Sequence, residues 1–210
     1  MVDRLLVDTN IPRQFRHALY DDYDSERGEP KILKKLVDWE PTAARPLALF
    51  YGKPGMGKTM MSCAVLNEHH YRFNVPQGIP EAAATVLLQE RSPVYFIQMA
   101  ELISLHIRCM KLHDRLVKGV GDHTEYLETD RLLNDLESRV KVLVIDDVGK
   151  EHRTSTGYAE DVFDLLVRSR HNRGLLTVLT SNLPISRWSA SYSDSMESLV
   201  RRSALVLEFD

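Results

Sequence analysis

Pro46-Leu47-Ala48-Leu49-Phe50-Tyr51-Gly52-Lys53-Pro54-Gly55-Met56-Gly57-Lys58-Thr59 passes from an apolar run into a glycine-rich loop that ends in a lysine and a hydroxyl. Each feature of the loop has a physical cause. Glycines at its first and sixth positions, Gly52 and Gly57, let the backbone wrap tightly, so that its N–H groups point inward at a phosphate. Lys58 adds a point charge for β- and γ-phosphates, and the Thr59 hydroxyl is an oxygen ligand for Mg²⁺. Leu47–Tyr51 reads as a buried strand entering the loop, and Met60–Leu66 as a helix leaving it with its positive end at the phosphates. This frame separates the loop from a plain glycine-rich turn. The expected phosphate cradle is Gly52, Lys53, Pro54, Gly55, Met56, Gly57, Lys58 and Thr59, and the expected ligands are ATP and Mg²⁺.

Outward from the loop, Val142-Leu143-Val144-Ile145-Asp146-Asp147 is an apolar strand ending in paired carboxylates. In a parallel sheet that end lies beside the phosphate loop. Asp146 is placed to support Mg²⁺ and Asp147 to polarise the attacking water, with Glu151 as a further acid. Asp-Asp after a strand is also a common turn, because Asp caps loops well. Thr177-Val178-Leu179-Thr180-Ser181-Asn182 is a second such strand, and Asn182 at its tip is expected to orient the water or meet the γ-phosphate. Arg201-Arg202 precede the last apolar run with no obvious acidic partner nearby in sequence. They are candidates for a finger on a neighbouring subunit's nucleotide, or else a solvated basic turn.

The 210 residues suffice for one sizeable core, and the net charge of −3 confines any nucleic-acid contact to a local patch. Cys63 and Cys109 sit in apolar helical patterns and read as buried, reduced thiols of a cytoplasmic protein. No spacing suggests zinc. His69-His70 reads as compensation of a helix dipole at a C-terminus. Neither a signal peptide nor a membrane-spanning run is visible.

Five apolar runs, Leu47–Tyr51, Val94–Ile97, Val140–Ile145, Leu175–Ser181 and Leu205–Phe209, alternate with helical patterns. That order predicts an α/β fold, a parallel five-stranded sheet with helices on both faces. Helices are expected at Lys58–His70, Met99–Lys118 (Leu102, Ile103, Ile107 and Met110 on one side), Asp130–Arg139 and Ala159–Arg173. The last is acidic at its start, basic at its end and stopped by Gly174. Residues 1–45 read as a polar N-terminal extension with one helix, Pro30 to Trp39, ahead of a core at 46–210. The stretch 71–93 reads as irregular, with a short helix at Glu81–Gln89.

These motifs in this order resemble the AAA+ ATPases, and within them the DnaC/DnaI-type helicase loaders and the related IstB-type transposition helpers. The likeness rests on Asp146-Asp147-Val148-Gly149-Lys150-Glu151 as Walker B, Thr180-Ser181-Asn182-Leu183 as sensor 1, and Arg168-Ser169-Arg170-His171-Asn172 ahead of the sensor strand. Asn10-Ile11-Pro12-Arg13-Gln14-Phe15 resembles the segment that lies near the adenine in that group. The resemblance implies a P-loop NTPase three-layer core and ATP hydrolysis. It makes Lys58, Asp147, Asn182 and Arg201 the catalytic set, with Arg202 leaving the finger one residue uncertain, and Thr59 and Asp146 the metal ligands. It implies a homo-oligomeric ring or spiral, a replicative helicase as partner and single-stranded DNA as ligand, in a bacterial or phage setting. Arg108, Lys111, Arg115 and Lys118, spaced three, four and three, form one basic stripe for DNA phosphates, or a solvated helix face. The chain is expected to depart from the group in a helicase-docking module that is missing or reduced to a tail, in a longer span before Walker B, and in the absence of a C-terminal helical lid. The other readings are a transposition helper and a nucleotide-gated adaptor with little hydrolysis, the latter because Asp147 stands where many P-loop ATPases have glutamate.

Overall fold

All five apolar runs form strands: β1 (Leu47–Gly52), β2 (Val94–Gln98), β3 (Val142–Val148), β4 (Leu176–Ser181) and β5 (Ala204–Phe209). The computed structural model describes residues 9–23, 30–74, 94–149 and 157–210. The helix expected at Glu81–Gln89, and Lys150 and Glu151, lie outside the described residues. The strands make one parallel sheet in the order β2-β3-β4-β1-β5. Strands buried on both faces need to be apolar throughout, and Leu47, Ala48, Leu49 and Phe50 are fully buried.

The described helices are α1 (Pro30–Val37), α2 (Lys58–Asn74), α3 (Met99–Val117), α4 (His123–Ser138), α5 (Tyr158–Asn172), α6 (Trp188–Ser191) and α7 (Asp194–Ser203). Strand side chains alternate between two buried clusters, as the period of two demands. Leu47, Leu49, Ile97, Leu143, Ile145 and Leu179 pack with Leu102 of α3, Leu136 of α4, Phe163 and Val167 of α5, and Met196 and Val200 of α7. Ala48, Phe50, Phe96, Val142, Val144 and Val178 pack on the other face with Met61, Ala64 and Val65 of α2. The result is the expected three-layer α/β sandwich.

The described part of the N-terminal extension joins the second cluster. Ile11, Ala18, Tyr23, Ile32 and Leu36 are all buried in it. Two polar attachments fix the segment. Asn67 of α2 donates from Nδ2 to the carbonyls of Ala18 (2.9 Å) and Phe15 (3.3 Å), while Thr9 accepts from the Phe96 N–H and Asn10 donates to the Phe96 carbonyl, both at 2.9 Å. Helix α2 therefore lies between sheet and extension, and every residue from Met61 to Asn67 is buried.

Several local expectations are corrected. Helix α2 runs to Asn74, so His69 lies inside it, buried, and the pair does not mark a C-terminus. Helix α1 ends at Val37, and α4 starts at His123, where the Asp122 side chain caps it by accepting from Thr124 N–H. On α3 the buried positions are Met99, Leu102 and Leu112, whereas Met110 is exposed. Cys63 is buried but Cys109 is only half-buried. Burial, and then the nearby Asp146 charge, push the Cys63 thiol up, which keeps it protonated and unreactive. The basic end of α5 is not all solvent-facing. Arg170 is fully buried and donates to the carbonyls of Leu136, Val140 and Leu176 and to Thr177 Oγ1. Among the described residues no helix is long and apolar enough to cross a membrane.

Candidate nucleotide site

The glycine-rich loop joins β1 to α2 at the carboxyl edge of the sheet, where β1 separates β4 from β5. Ligands of open parallel sheets bind in such a crevice. The loop's first glycine is fixed by a close approach. Gly52 has φ +139°, and a Cβ there would stand 1.9 Å from the Phe209 carbonyl oxygen of β5. That oxygen also accepts from the Lys53 N–H at 3.1 Å, so loop and last strand are fastened together. Gly55 and Gly57 carry φ values of +82° and +85°, which coil the loop toward the N-terminus of α2.

Lys58, almost wholly buried, donates from Nζ to the Gly52 carbonyl (2.8 Å) and the Lys53 carbonyl (2.7 Å). Thr59 donates from Oγ1 to Asp146 Oδ1 at 3.0 Å. The phosphate loop and the end of β3 are thus in direct contact.

Two adjacent carboxylates on a regular strand would point to opposite faces of the sheet. Here both line one cleft, because β3 is bulged. Ile145 pairs with Leu179 and Val148 with Ser181, so β3 takes three steps where β4 takes two. The extra residue is absorbed at Asp147, whose φ is +60°. Asp tolerates this left-handed conformation better than most residues. The Thr180 hydroxyl spans the gap, accepting from the Asp147 N–H at 2.9 Å and donating to Asp146 Oδ1 at 2.5 Å. Beyond it, Ser181 donates from Oγ to the Val148 carbonyl and accepts from the Leu183 N–H, which shapes the chain around Asn182.

The cleft measures about 560 Å³, within the ordinary range for small-molecule sites. Pro54, Gly55, Gly57, Lys58 and Thr59 line it from the loop, Asp146, Asp147 and Asn182 from the strand ends, and Pro12, Gln14 and Phe15 from the extension. Of the expected cradle, Gly52, Lys53 and Met56 are in the loop but do not line the cleft. Lys53 is exposed and lies 3.8 Å from Asp210. Met60, Phe96 and Gln98 also line the cleft, and Thr180 contacts its acidic residues from within the sheet; sequence reading did not single out these positions. Gln98 is brought there by the register of β2 on β3, which pairs it with Asp146 and which the sequence does not display.

Arg201 does not line this cleft. It sits exposed in the last turn of α7, in a hollow formed with Asp194, Glu197, Ser198 and Arg202. The expectation that it has no acidic partner nearby is wrong, because Glu197, one turn earlier, accepts from its Nε at 2.7 Å. The guanidinium beside Glu197 in turn lowers that carboxyl's pKa. All four residues of the basic stripe are exposed. Arg108, itself exposed, is paired with Glu125 of α4 at 2.7 Å, and Lys118 follows the last helical residue, so Lys111 and Arg115 are the other exposed cations of the stripe on the helix.

No protein-family model matches the chain, and no curated protein matches it. Solved structures do. A crystal structure of the DnaC helicase loader is 20% identical with a TM-score of 0.62, over 95% of this chain and 100% of that one. A structure of DnaI is 20% identical with a TM-score of 0.59, over 95% and 94%. AMPPCP-bound DnaA from Aquifex aeolicus is 17% identical with a TM-score of 0.57, over 95% of this chain and 51% of that one, so the chain spans about half of the DnaA structure. The likeness is one of fold: the chain has the three-layer α/β fold of these structures.

Proposed function

We propose that this chain is an ATP-dependent switch of DNA replication initiation that loads a replicative helicase onto single-stranded DNA. The observation that carries the nucleotide part is the meeting of Lys58, Thr59, Asp146, Asp147 and Asn182 around one cleft, from three separate strand ends. The loader part is supported by the fold match, which extends over the whole of a DnaC helicase loader chain.

In this reading the backbone amides of Gly55–Thr59 and the Lys58 ammonium bind the triphosphate. Pro12 and Phe15 give the adenine an apolar wall. The Thr59 hydroxyl and Asp146 carboxylate, 3.0 Å apart, are two oxygen donors of the kind a hard cation takes, and they would hold Mg²⁺. When bound, the ion neutralises charge on the phosphates. Asp147 polarises the attacking water, and Asn182 orients it against the γ-phosphate. Arg201 leaves Glu197 and completes the site of a neighbouring subunit, so hydrolysis belongs to an assembly and the isolated subunit is a poor ATPase. An exposed pair one helical turn apart is weak enough to be exchanged for a phosphate. Lys111 and Arg115 follow the strand's phosphates.

A pull-down combined with mass measurement, with and without ATP, tests the reading. A ring-forming helicase recovered with an ATP-dependent assembly of this chain is expected. A monomer that captures no helicase in either state would overturn it. One observation keeps a nucleotide-gated adaptor in view: Asp147 is one methylene shorter than glutamate. If Lys58→Ala abolishes function while Asp147→Asn leaves it intact, binding alone is the signal.

A further inference from the structure

The β3 bulge creates a problem that one side chain solves. By inserting a residue between the Ile145 and Val148 pairings, it withdraws the Asp147 N–H from the regular β3–β4 ladder and leaves the Asp146 carboxylate on a strand end that no longer follows sheet geometry. Thr180, one strand away and 1% exposed, answers both. Its oxygen accepts the Asp147 N–H at 2.9 Å, and its single hydroxyl proton goes to Asp146 Oδ1 at 2.5 Å. Because that proton is given to Asp146, the carboxylate is used as an acceptor, the form in which it also accepts from Thr59. The two contacts on Asp146 are not equivalent. Thr59 stands on the phosphate loop and lines the cleft, where its hydroxyl has another use. Thr180 lies behind the carboxylate, within the sheet, and does not line the cleft.

We propose that Thr180 is the positioning residue of the metal site: its hydroxyl sets the rotamer of Asp146 and holds Asp147 in its left-handed conformation, so that both carboxylates are aimed before nucleotide arrives. Thr180 touches neither phosphate nor metal and acts only through these two residues. The inference rests on the nucleotide reading above and adds a residue to it. Partners that orient a metal ligand from behind typically matter by about 10–100-fold in metal affinity.

The test measures the affinity of the full chain for a fluorescent ATP analogue twice, with Mg²⁺ and with EDTA, and takes the ratio. Thr180→Val keeps the shape and removes the hydroxyl. The ratio is expected to fall at least about tenfold in Thr180→Val and to return to within about twofold of wild type in Thr180→Ser. In an Asp146→Asn background, Thr180→Val is expected to add nothing to the loss. If Thr180→Val proves too unstable to assay, Thr180→Cys is read against Thr180→Ser, with the same order expected because a thiol donates weakly. A wild-type ratio in a folded Thr180→Val or Thr180→Cys, or an equal loss in Thr180→Ser, would overturn the proposal. Failure of the wild-type chain to bind the analogue at all would instead remove the nucleotide reading, and this inference with it.

Discussion

The Thr59 hydroxyl donates to Asp146 Oδ1 at 3.0 Å although 87 residues separate the two in sequence. That contact joins the phosphate loop to the acidic end of β3, and the proposed chemistry depends on it. It brings the glycine-rich loop and an acidic strand end into one oxygen-lined site.

Removing the charge at the loop tests the first half. Lys58→Ala is expected to weaken ATP binding by about 10- to 150-fold, since a hydrogen bond from a charged group is worth roughly 1.5–3 kcal/mol. Calorimetric titration with Mg-ATP checks it, and a thermal melt in the absence of nucleotide shows whether the fold is retained.

The seam between loop and last strand has its own signature. Gly52→Ala places a Cβ 1.9 Å from the Phe209 carbonyl oxygen at a φ of +139°. Strain and overlap together should cost about 2–6 kcal/mol, a fall in Tm of roughly 5–20 °C. Gly119→Ala is the control. It also has positive φ, +74°, but nothing lies within 4 Å of its Cβ position. Its melt should shift by far less.

Arg170 is expected to be the most stability-critical cation of the described residues. Arg170→Leu would leave three buried carbonyls and the Thr177 hydroxyl without their donor. At about 1–3 kcal/mol for an unsatisfied buried group, and with partial relaxation, the loss should reach about 3–6 kcal/mol. Arg170→Lys should recover only part of it, because an ammonium cannot reproduce the guanidinium fork. Urea unfolding of the three proteins measures the order.

For DNA, Lys111→Gln combined with Arg115→Gln should weaken single-strand binding and reduce the slope of log affinity against log salt by about 1.4, at roughly 0.7 per phosphate neutralised. Arg108→Gln should have a smaller effect, because Glu125 already holds that side chain at 2.7 Å. Fluorescence anisotropy over a salt series distinguishes the two. An unchanged slope in the double variant would remove α3 from the DNA surface.

The five strands were legible because buried parallel strands are apolar without interruption, as Leu47–Phe50 and Val142–Ile145 are. The glycine-rich loop between β1 and α2 was legible because its glycines and lysine stand at spacings that few other structures require. The bulge at Asp146-Asp147 was not, since it exists only in the register between β3 and β4, and the role of Thr180 follows from it. The burial of Arg170 left a trace that was overlooked: it falls at helical spacing from Phe163, Leu166 and Val167, on the apolar stripe of α5. Helix α7 left one too, in the Ser193 cap and the spacing of Met196, Leu199 and Val200, but its many polar residues masked it. The Glu197–Arg201 pair was missed along with that helix, because a spacing of four has meaning only once the helix is known.

If a second copy of the chain completes the nucleotide site, two differently damaged copies should repair each other when mixed. Lys58→Ala keeps Arg201 but has a damaged site, whereas Arg201→Ala keeps the site but supplies no finger. ATP turnover is measured for each alone, for their mixture, and for wild type over a range of concentrations. Wild-type turnover per subunit should rise with concentration, the two variants alone should be nearly inactive, and turnover should recover when they are mixed. Turnover per subunit that is independent of concentration, with no recovery in the mixture, would contradict completion by a second copy.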